Sequence, residues 1–359
     1  MEEQKITEIE PNSACGDDKG KGLNKFEKYL VLWIAVCMVA GILISQLLPD
    51  IGNVIESVKI GNVSIPIGIC LFLMMYPAML NLKASELKKL KQKPLPIILT
   101  LVSNWFIAPF VGTFLAGLFL QYNEQLIVAV ILLSASPCTA MVLVWGYLAE
   151  GNQEQNVLNT SLNTVTIIFL YAPMVALLTG IQNIPLNWVD LLVTTAVFIG
   201  LPLIVGIISK KILINKKGEE WFHDVYRPAI GNVAIIALLV TLVILFSLNG
   251  DALIQNPDKL LLVSIPLLVG FAIVVGINVL ITKLFKLKYK EAIITVIIGS
   301  SSHFEIAIAS AIAIYGVGSI AALGTTMGLF WEVPIMLGLV YLGKYLRKKQ
   351  FWLANKPPV

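Results

Sequence analysis

Two short segments of this sequence place chemically active side chains inside what is otherwise written as uninterrupted apolar helix. One is Ser134–Ala135–Ser136–Pro137–Cys138; the other is Gly299–Ser300–Ser301–Ser302–His303–Phe304–Glu305. The first offers a thiol. Ser136 reads as an N-cap and Pro137 as a first helical residue, so a new half-helix can begin here with Cys138 in its first turn. Free backbone N–H groups and the helix dipole favour negative charge at such a place. The plain alternative is a buried cysteine acting as a small hydrophobe, which is the reading for Cys37 and Cys70. The second segment offers an imidazole and a carboxylate. An ionisable Glu305 inside an apolar run costs several kcal/mol and is functional by default. The spacing Ser302–His303–Phe304–Glu305 also fits a capping box, with Glu305 bonding back to the Ser302 N–H, and a capping carboxylate can still exchange a proton.

Further groups could share this chemistry. Glu332, in Trp331–Glu332–Val333–Pro334, is a second carboxylate in an apolar stretch, beside a helix-kinking proline. It could complete a proton relay with Glu305 or hold freed backbone groups. His303 reads either as a proton carrier or as an amphipathic packing group. His223, the one other histidine, falls in a polar loop, so no zinc cluster can be assembled. Asn104, Asn159 and Asn163 are amides at apolar depth, where hydrogen bonding between helices is the ordinary role; Asn163 could also face the breaks. Gly338 to Lys344 has the spacing of a phosphate-binding loop, but Tyr345 replaces its Ser/Thr and no strand precedes it, which excludes nucleotide hydrolysis by this chain.

Composition says what scaffold holds these groups. Of 359 residues, 57% are hydrophobic and 13% charged, with a mean hydropathy of +0.83, which is a polytopic membrane protein and not a soluble enzyme. Ten stretches reach the roughly 17–25 residues that cross a bilayer as helix: 29–48, 62–80, 95–120, 126–148, 158–180, 189–209, 230–248, 260–282, 291–314 and 320–342. The breaks fall in the fourth and ninth. A basic loop from Lys210 to Arg227 separates the first five from the last five. Because five is odd, the second half enters with opposite orientation. The expected fold is therefore all-α: ten transmembrane helices in two inverted five-helix repeats, with broken helices four and nine crossing near the midplane. Interruptions at matching places in two halves mark the binding site of a secondary transporter.

The expected divisions are a disordered N-terminal tail (1–28), a first repeat (29–180), a second repeat (181–346) and a basic C-terminal tail (347–359). Of 26 lysines and arginines, only Lys59 and Lys259 fall off one common face, which the positive-inside rule makes cytoplasmic, together with both termini. The net charge of +4 expresses that rule and carries no implication of nucleic acid. The polar first 28 residues, with Glu2, Glu3, Glu8 and Glu10, do not form a secretory signal. Cys15, Cys37, Cys70 and Cys138 show no CxxC spacing and no expected disulfide framework.

Seven segments in chain order resemble the arsenite efflux permeases of the arsenical-resistance (Acr-type) family, within the bile acid/arsenite/riboflavin transporter superfamily. They are LFLMMYP (71–77), NWFIAPF (104–110), SPCTAMVLVW (136–145), LNTVTIIFLYAP (162–173), TLVILFSLNG (241–250), SSSHFEIAIA (300–309) and WEVPIML (331–337). The likeness runs from about residue 29 to residue 346. It implies the same ten-span inverted-repeat fold, places the family's essential fourth-span cysteine on Cys138, and places its ninth-span glutamate on Glu305. The family usually carries an asparagine just before that glutamate; here Ser302 and His303 occupy the stretch.

The function the resemblance implies is secondary active extrusion of arsenite, and of antimonite, from the cytoplasm across the cell membrane. A single soft thiolate at Cys138 suits a thiophilic As(III) or Sb(III) centre that must also be released. Ser136, Asn163 and Asn104 would receive the metalloid's hydroxyls. Glu305 would carry the exchanged proton, with Glu332 and His303 as further coupling groups. No cofactor is implied; the partners are arsenite or antimonite, protons and the lipid bilayer, and an accessory ATPase and the oligomeric state stay open. The rival on the same fold is a sodium-coupled organic-anion symporter of the bile acid type. It would use Glu305, Asn163 and the serine run as oxygen ligands and would not need Cys138. A passive channel and an intramembrane enzyme are the other classes; for the latter no nucleophile–base pair is evident.

Overall fold

The computed structural model describes residues 29–48, 57, 59–60, 63–80, 94–139, 141–186, 188–248, 250, 254, 258–316 and 318–353. The N-terminal tail with Cys15, the basic loop from Lys83 to Lys93, and residues 354–359 with Lys356 lie outside the described residues.

Within them the regular structure is helical apart from one two-residue antiparallel pair, Lys59–Ile60 with Val63–Ser64, and two isolated bridges. In order come α1 (Leu30–Leu47), α2 (Ile65–Leu80), α3 (Pro94–Phe119), α4 (Glu124–Ser134), α5 (Val142–Leu148) and α6 (Gln153–Ile181). Then follow α7 (Leu191–Lys217), α8 (Glu219–Leu248), α9 (Asp258–Leu284), α10 (Tyr289–Gly299), α11 (Phe304–Tyr315) and α12 (Ile320–Lys348). Six of these (α3, α6, α7, α8, α9 and α12) are long and apolar enough to cross a membrane. The expected spans 29–48 and 62–80 are met by helices of 18 and 16 residues. The fourth and ninth expected spans are each met by two half-helices, α4 with α5 and α10 with α11.

Local chemistry explains the boundaries. Asn123, Asn152 and Ser319 cap α4, α6 and α12, each side chain accepting at 3.1 Å from the backbone N–H three residues on. Three helices contain a π turn: Ser103–Ile107 in α3, Ala196–Gly200 in α7 and Phe222–Tyr226 in α8. Each is followed two residues later by a proline, Pro109, Pro202 or Pro228. A proline cannot donate to the carbonyl four residues back and clashes with it. That carbonyl falls within the π turn in all three cases, where the widened helix relieves the clash.

The helices form two bodies. α1, α2, α7 and α8 pack together; α3, α4, α5, α6, α9, α10, α11 and α12 form the other. They meet where the start of α7 lies against α6 and α11, and where α12 touches α1. The outward faces are apolar: Phe106, Phe110 and Phe114 form a stripe on α3, at 61%, 41% and 68% exposure, while its Ser103 and Asn104 are buried. That inversion is what lipid contact demands of a bundle holding polar groups within.

One end of the larger body is tied by charge. Glu150, in the turn between α5 and α6, accepts from Arg347 Nη1 at 2.7 Å and sits 3.4 Å from Lys344 Nζ, both on the last turns of α12. Nearby, Tyr289 Oη donates to the Ala149 carbonyl at 2.7 Å. The hydrogen bond from Arg347, helped by Lys344, holds the Glu150 carboxyl below the usual carboxylate range against partial burial. A depressed carboxylate contributes stability that is present above its unfolded pKa and is lost as pH falls through the lower folded value. Glu150 is 58% exposed, so the contribution is screened. Glu150→Gln should therefore cost roughly 0.5 kcal/mol at neutral pH. Thermal denaturation in detergent should show that difference at pH 7 and its disappearance well below the ordinary glutamate value of 4.5.

Candidate functional site

The two breaks meet. Pro137 and Ser302 form an antiparallel β-bridge, and the His303 N–H donates to the Ser136 carbonyl at 2.7 Å. The half-helices leading in, α4 and α10, are each 11 residues long, and each bridging residue stands three residues past the end of its half-helix.

Serines close the ends of those half-helices. Ser134 Oγ donates to the Ile131 carbonyl at 3.2 Å, Ser136 Oγ to Leu133 at 2.9 Å and Ser301 Oγ to Ile298 at 3.2 Å. Each hydroxyl reaches back three residues; the Ile131 carbonyl also keeps its helical bond from the Ala135 N–H at 2.9 Å, while Leu133 and Ile298 have lost the N–H that a continuing helix would supply. Neighbouring helices finish the work on α10: Ser103 Oγ donates to the Gly299 carbonyl at 2.7 Å and Asn278 Nδ2 to Ser300 Oγ at 3.0 Å. A Cβ at Gly299 would lie 2.9 Å from Ser103 Cβ, so glycine is what lets α3 come this close.

This corrects the expected start of the second half-helix. Ser136 is a C-terminal cap of α4 and not an N-cap, because its hydroxyl is taken by Leu133. Pro137 is extended and bridged, and α5 begins only at Val142, so Cys138 is not in a first helical turn. Cys138 is 4% exposed and lies in extended chain, its carbonyl accepting from Asn163 Nδ2 at 3.0 Å. Asn163 Oδ1 in turn accepts from Asn104 Nδ2 at 3.1 Å. Asn104, Asn163 and Cys138 are thus brought together in one buried chain. Ser136 lies two residues before Cys138, with its carbonyl engaged by His303 and its hydroxyl by Leu133.

The other strand carries the ionisable groups. His303 Nδ1 and Glu305 Oε2 are 2.7 Å apart, with the histidine side chain 1% and the glutamate 12% exposed. Nε2 of His303 has no protein partner. Glu332, reaching over from the middle of α12, accepts from the Ser302 N–H at 3.3 Å and from Ser302 Oγ at 2.8 Å. The expected capping box is therefore absent: Glu332 takes the Ser302 N–H, and Glu305 is engaged by the histidine two residues before it. His303 is the residue flanking α11, and its side chain makes no capping bond. All seven residues singled out for substrate and coupling roles lie at or beside the crossing. The sequence did not single out Ser103 and Asn278; their signal was a polar side chain on an apolar span.

Chemically the crossing offers one thiol on one strand and an imidazole–carboxylate pair on the other. Among the described residues, no three His, Cys, Asp or Glu side chains converge as a metal cage. A separate cavity, lined by Ser134, Ser300, Ser301 and Ser302 with Leu133 and Phe271, opens on the α3–α9 side; Cys138 and Glu305 are not in its wall.

Comparison with known proteins places this arrangement. Residues 68–256 match the sodium bile acid symporter family. An uncharacterized transporter of Synechocystis sp. is 39% identical over 357 residues, covering 94% of this chain and 92% of the relative. The arsenical-resistance protein Acr3 of Alkaliphilus metalliredigens is 34% identical over 339 residues (92% and 95%), and that of Corynebacterium glutamicum 30% over 352 residues (95% and 94%). These relatives are transporters and arsenical-resistance proteins, not enzymes. The chain belongs to the sodium bile acid symporter family, and its likeness to Acr3 arsenical-resistance proteins extends over most of its length.

Proposed function

We propose that this protein is a secondary transporter that extrudes arsenite, and antimonite, from the cytoplasm in exchange for protons. The observation that carries the reading is a single buried cysteine at the meeting point of two broken helices, in a chain similar to Acr3 proteins almost end to end. The equal half-helices α4 and α10, each followed at the same interval by a bridging residue, support ten spans in two inverted repeats, 29–180 and 181–346, flanked by tails 1–28 and 347–359. The basic end, with Lys216, Lys288 and Arg347, is cytoplasmic in the cell membrane.

The chemistry follows. Arsenite at neutral pH is an uncharged trihydroxide. The Cys138 thiol displaces one hydroxyl: an S–As bond forms, an As–O bond breaks, and the thiol proton leaves with the hydroxyl as water. This step is neutral, so it cannot take up driving force. The counted proton must reside elsewhere, and the His303–Glu305 pair is the ionisable unit on the facing strand. Asn163, Asn104 and the Ser136 backbone hold Cys138 where the remaining As–OH groups find partners. Glu332 tethers the second strand and is a positioning group first, with any share in coupling transmitted through Ser302. The family match itself favours the sodium-coupled symporter as the second reading, with oxygen ligands in place of sulfur.

Arsenite uptake into everted vesicles, with a proton gradient, a sodium gradient or neither, separates the two; acceleration by sodium alone sinks the proton-antiport reading. Cys138→Ser keeps shape but replaces a soft ligand by a hard one, so As(III) and Sb(III) transport should fall to background while Cys37→Ser and Cys70→Ser transport normally. Uphill export by Cys138→Ser would end the thiolate assignment.

Glu305→Gln should fold and abolish proton-driven export, since an amide keeps a contact to His303 but does not ionise. Glu332→Ala should instead destabilise by about 2 kcal/mol, because it strips the acceptor from two buried donors. Glu332→Gln, which retains an acceptor, should recover most of that stability in thermal denaturation. If Glu332→Gln abolishes coupling as completely as Glu305→Gln, the two carboxylates act as one coupling unit.

A further inference from the structure

The larger body contains a polar seam that runs from the crossing toward the basic end. Gln155, Asn159 and Asn163 stand four apart on α6 and so share one stripe; they are 7%, 1% and 0% exposed. The stripe faces α3 and α10. Gln155 Nε2 donates to the Glu291 carbonyl at 3.2 Å and to Thr295 Oγ1 at 3.1 Å, and Asn159 Nδ2 donates to Thr100 Oγ1 at 3.1 Å. Both threonine hydroxyls are spent on backbone carbonyls: Thr100 on Pro96 at 2.9 Å, Thr295 on Glu291 at 3.1 Å and Pro96 at 3.3 Å. Next to Gln155, Asn156 Nδ2 donates to the carbonyls of Val142 and Leu143, both at 3.3 Å.

Every amide nitrogen on this seam is partnered, yet Gln155 Oε1, Asn156 Oδ1 and Asn159 Oδ1 are buried with no protein donor. Flipping the Gln155 amide would turn its oxygen toward the Glu291 carbonyl, so its orientation is fixed. Three orphan acceptors within five residues cost too much to leave unmet, and water is the donor that buried amide oxygens ordinarily find. The seam starts beside Glu291 at the basic end and rises about 12 Å along α6 to Asn163, which holds the Cys138 carbonyl. Four residues of helix rise roughly 6 Å, room for about two waters per rung.

We infer that this seam is a hydrated route by which the coupling proton leaves the crossing for the cytoplasm, inside the larger body. The inference rests on the proton-antiport reading above. The amides do not ionise. They order water, through which one proton released by the His303–Glu305 pair passes to bulk solvent for each one taken up on the far side. Metalloid follows a different path, because Gln155 and Asn159 hydrogen-bond α6 to α10 and α3 across the seam.

Two measurements test this. Asn159→Cys, in full-length protein, should be modified by a small charged methanethiosulfonate added from the basic face, while Leu158→Cys, buried off the stripe, should not. Asn159→Leu should slow net proton-driven arsenite export by about tenfold, while arsenite–arsenite exchange, which moves no net proton, stays within about twofold of wild type. An unreactive introduced thiol at 159 overturns the hydrated seam whatever the substrate is. Equal loss of export and exchange, or loss of neither, overturns its role in proton exit. Wild-type protein that exports without a proton gradient removes the antiport reading instead, and the labelling result stands apart from it.

Discussion

A helix that stops inside an apolar medium leaves carbonyl and N–H groups with no water to turn to, and each unmet group costs several kcal/mol. This structure meets that constraint twice in the same way. Serine hydroxyls fold back on the last carbonyls of α4 and α10. The exposed backbones then pair with each other through Pro137 and Ser302. The break is thus a shared one: neither strand is satisfied without the other, and the surrounding helices contribute only what the pairing leaves over. Ser103, Asn278, Asn163 and Glu332 each supply one such remainder.

The same constraint sorts the ionisable groups. Glu332 is committed to Ser302 through both oxygens, so a change in its charge would be felt first as a change in how the second strand is held. The side chains of Glu305 and His303 engage each other. A change at that pair would leave the strand's own bonds in place, whereas Glu332 holds both the N–H and the hydroxyl of Ser302. The different commitments of the two carboxylates arise from geometry, since both residues are glutamates in apolar helices.

Much of this was legible in the sequence. Hydropathy located the long helices, and a run of serines with a proline or glycine located the breaks, because those signals act through the chain itself. Cys138, Glu305, His303, Glu332, Asn104 and Asn163 were visible as polar groups at apolar depth. What the sequence could not show was which partner each would choose. Ser302–His303–Phe304–Glu305 carries a good capping box by spacing, but Glu332, 30 residues away, reaches the same N–H. Ser136–Pro137 reads by residue type as the start of a helix, but the hydroxyl's bond to Leu133 and the pairing with Ser302 make it the end of one. Local spacing favoured one reading; tertiary contact imposed the other.

The π turn in α3 has a consequence of a genetic kind. It is a turn holding one residue more than the ordinary repeat, and it contains Ser103, Asn104 and the lipid-facing Phe106. The widened turn absorbs that extra residue, so deleting one codon inside it would restore the ordinary repeat and leave the helix on either side close to its present phase. Elsewhere in α3 the same deletion would rotate one side of the helix by about 100° against the other. Reading-frame-preserving deletions are therefore better tolerated within Ser103–Ile107 than outside it, provided the residue lost is neither Ser103, which holds Gly299, nor Asn104, which holds Asn163.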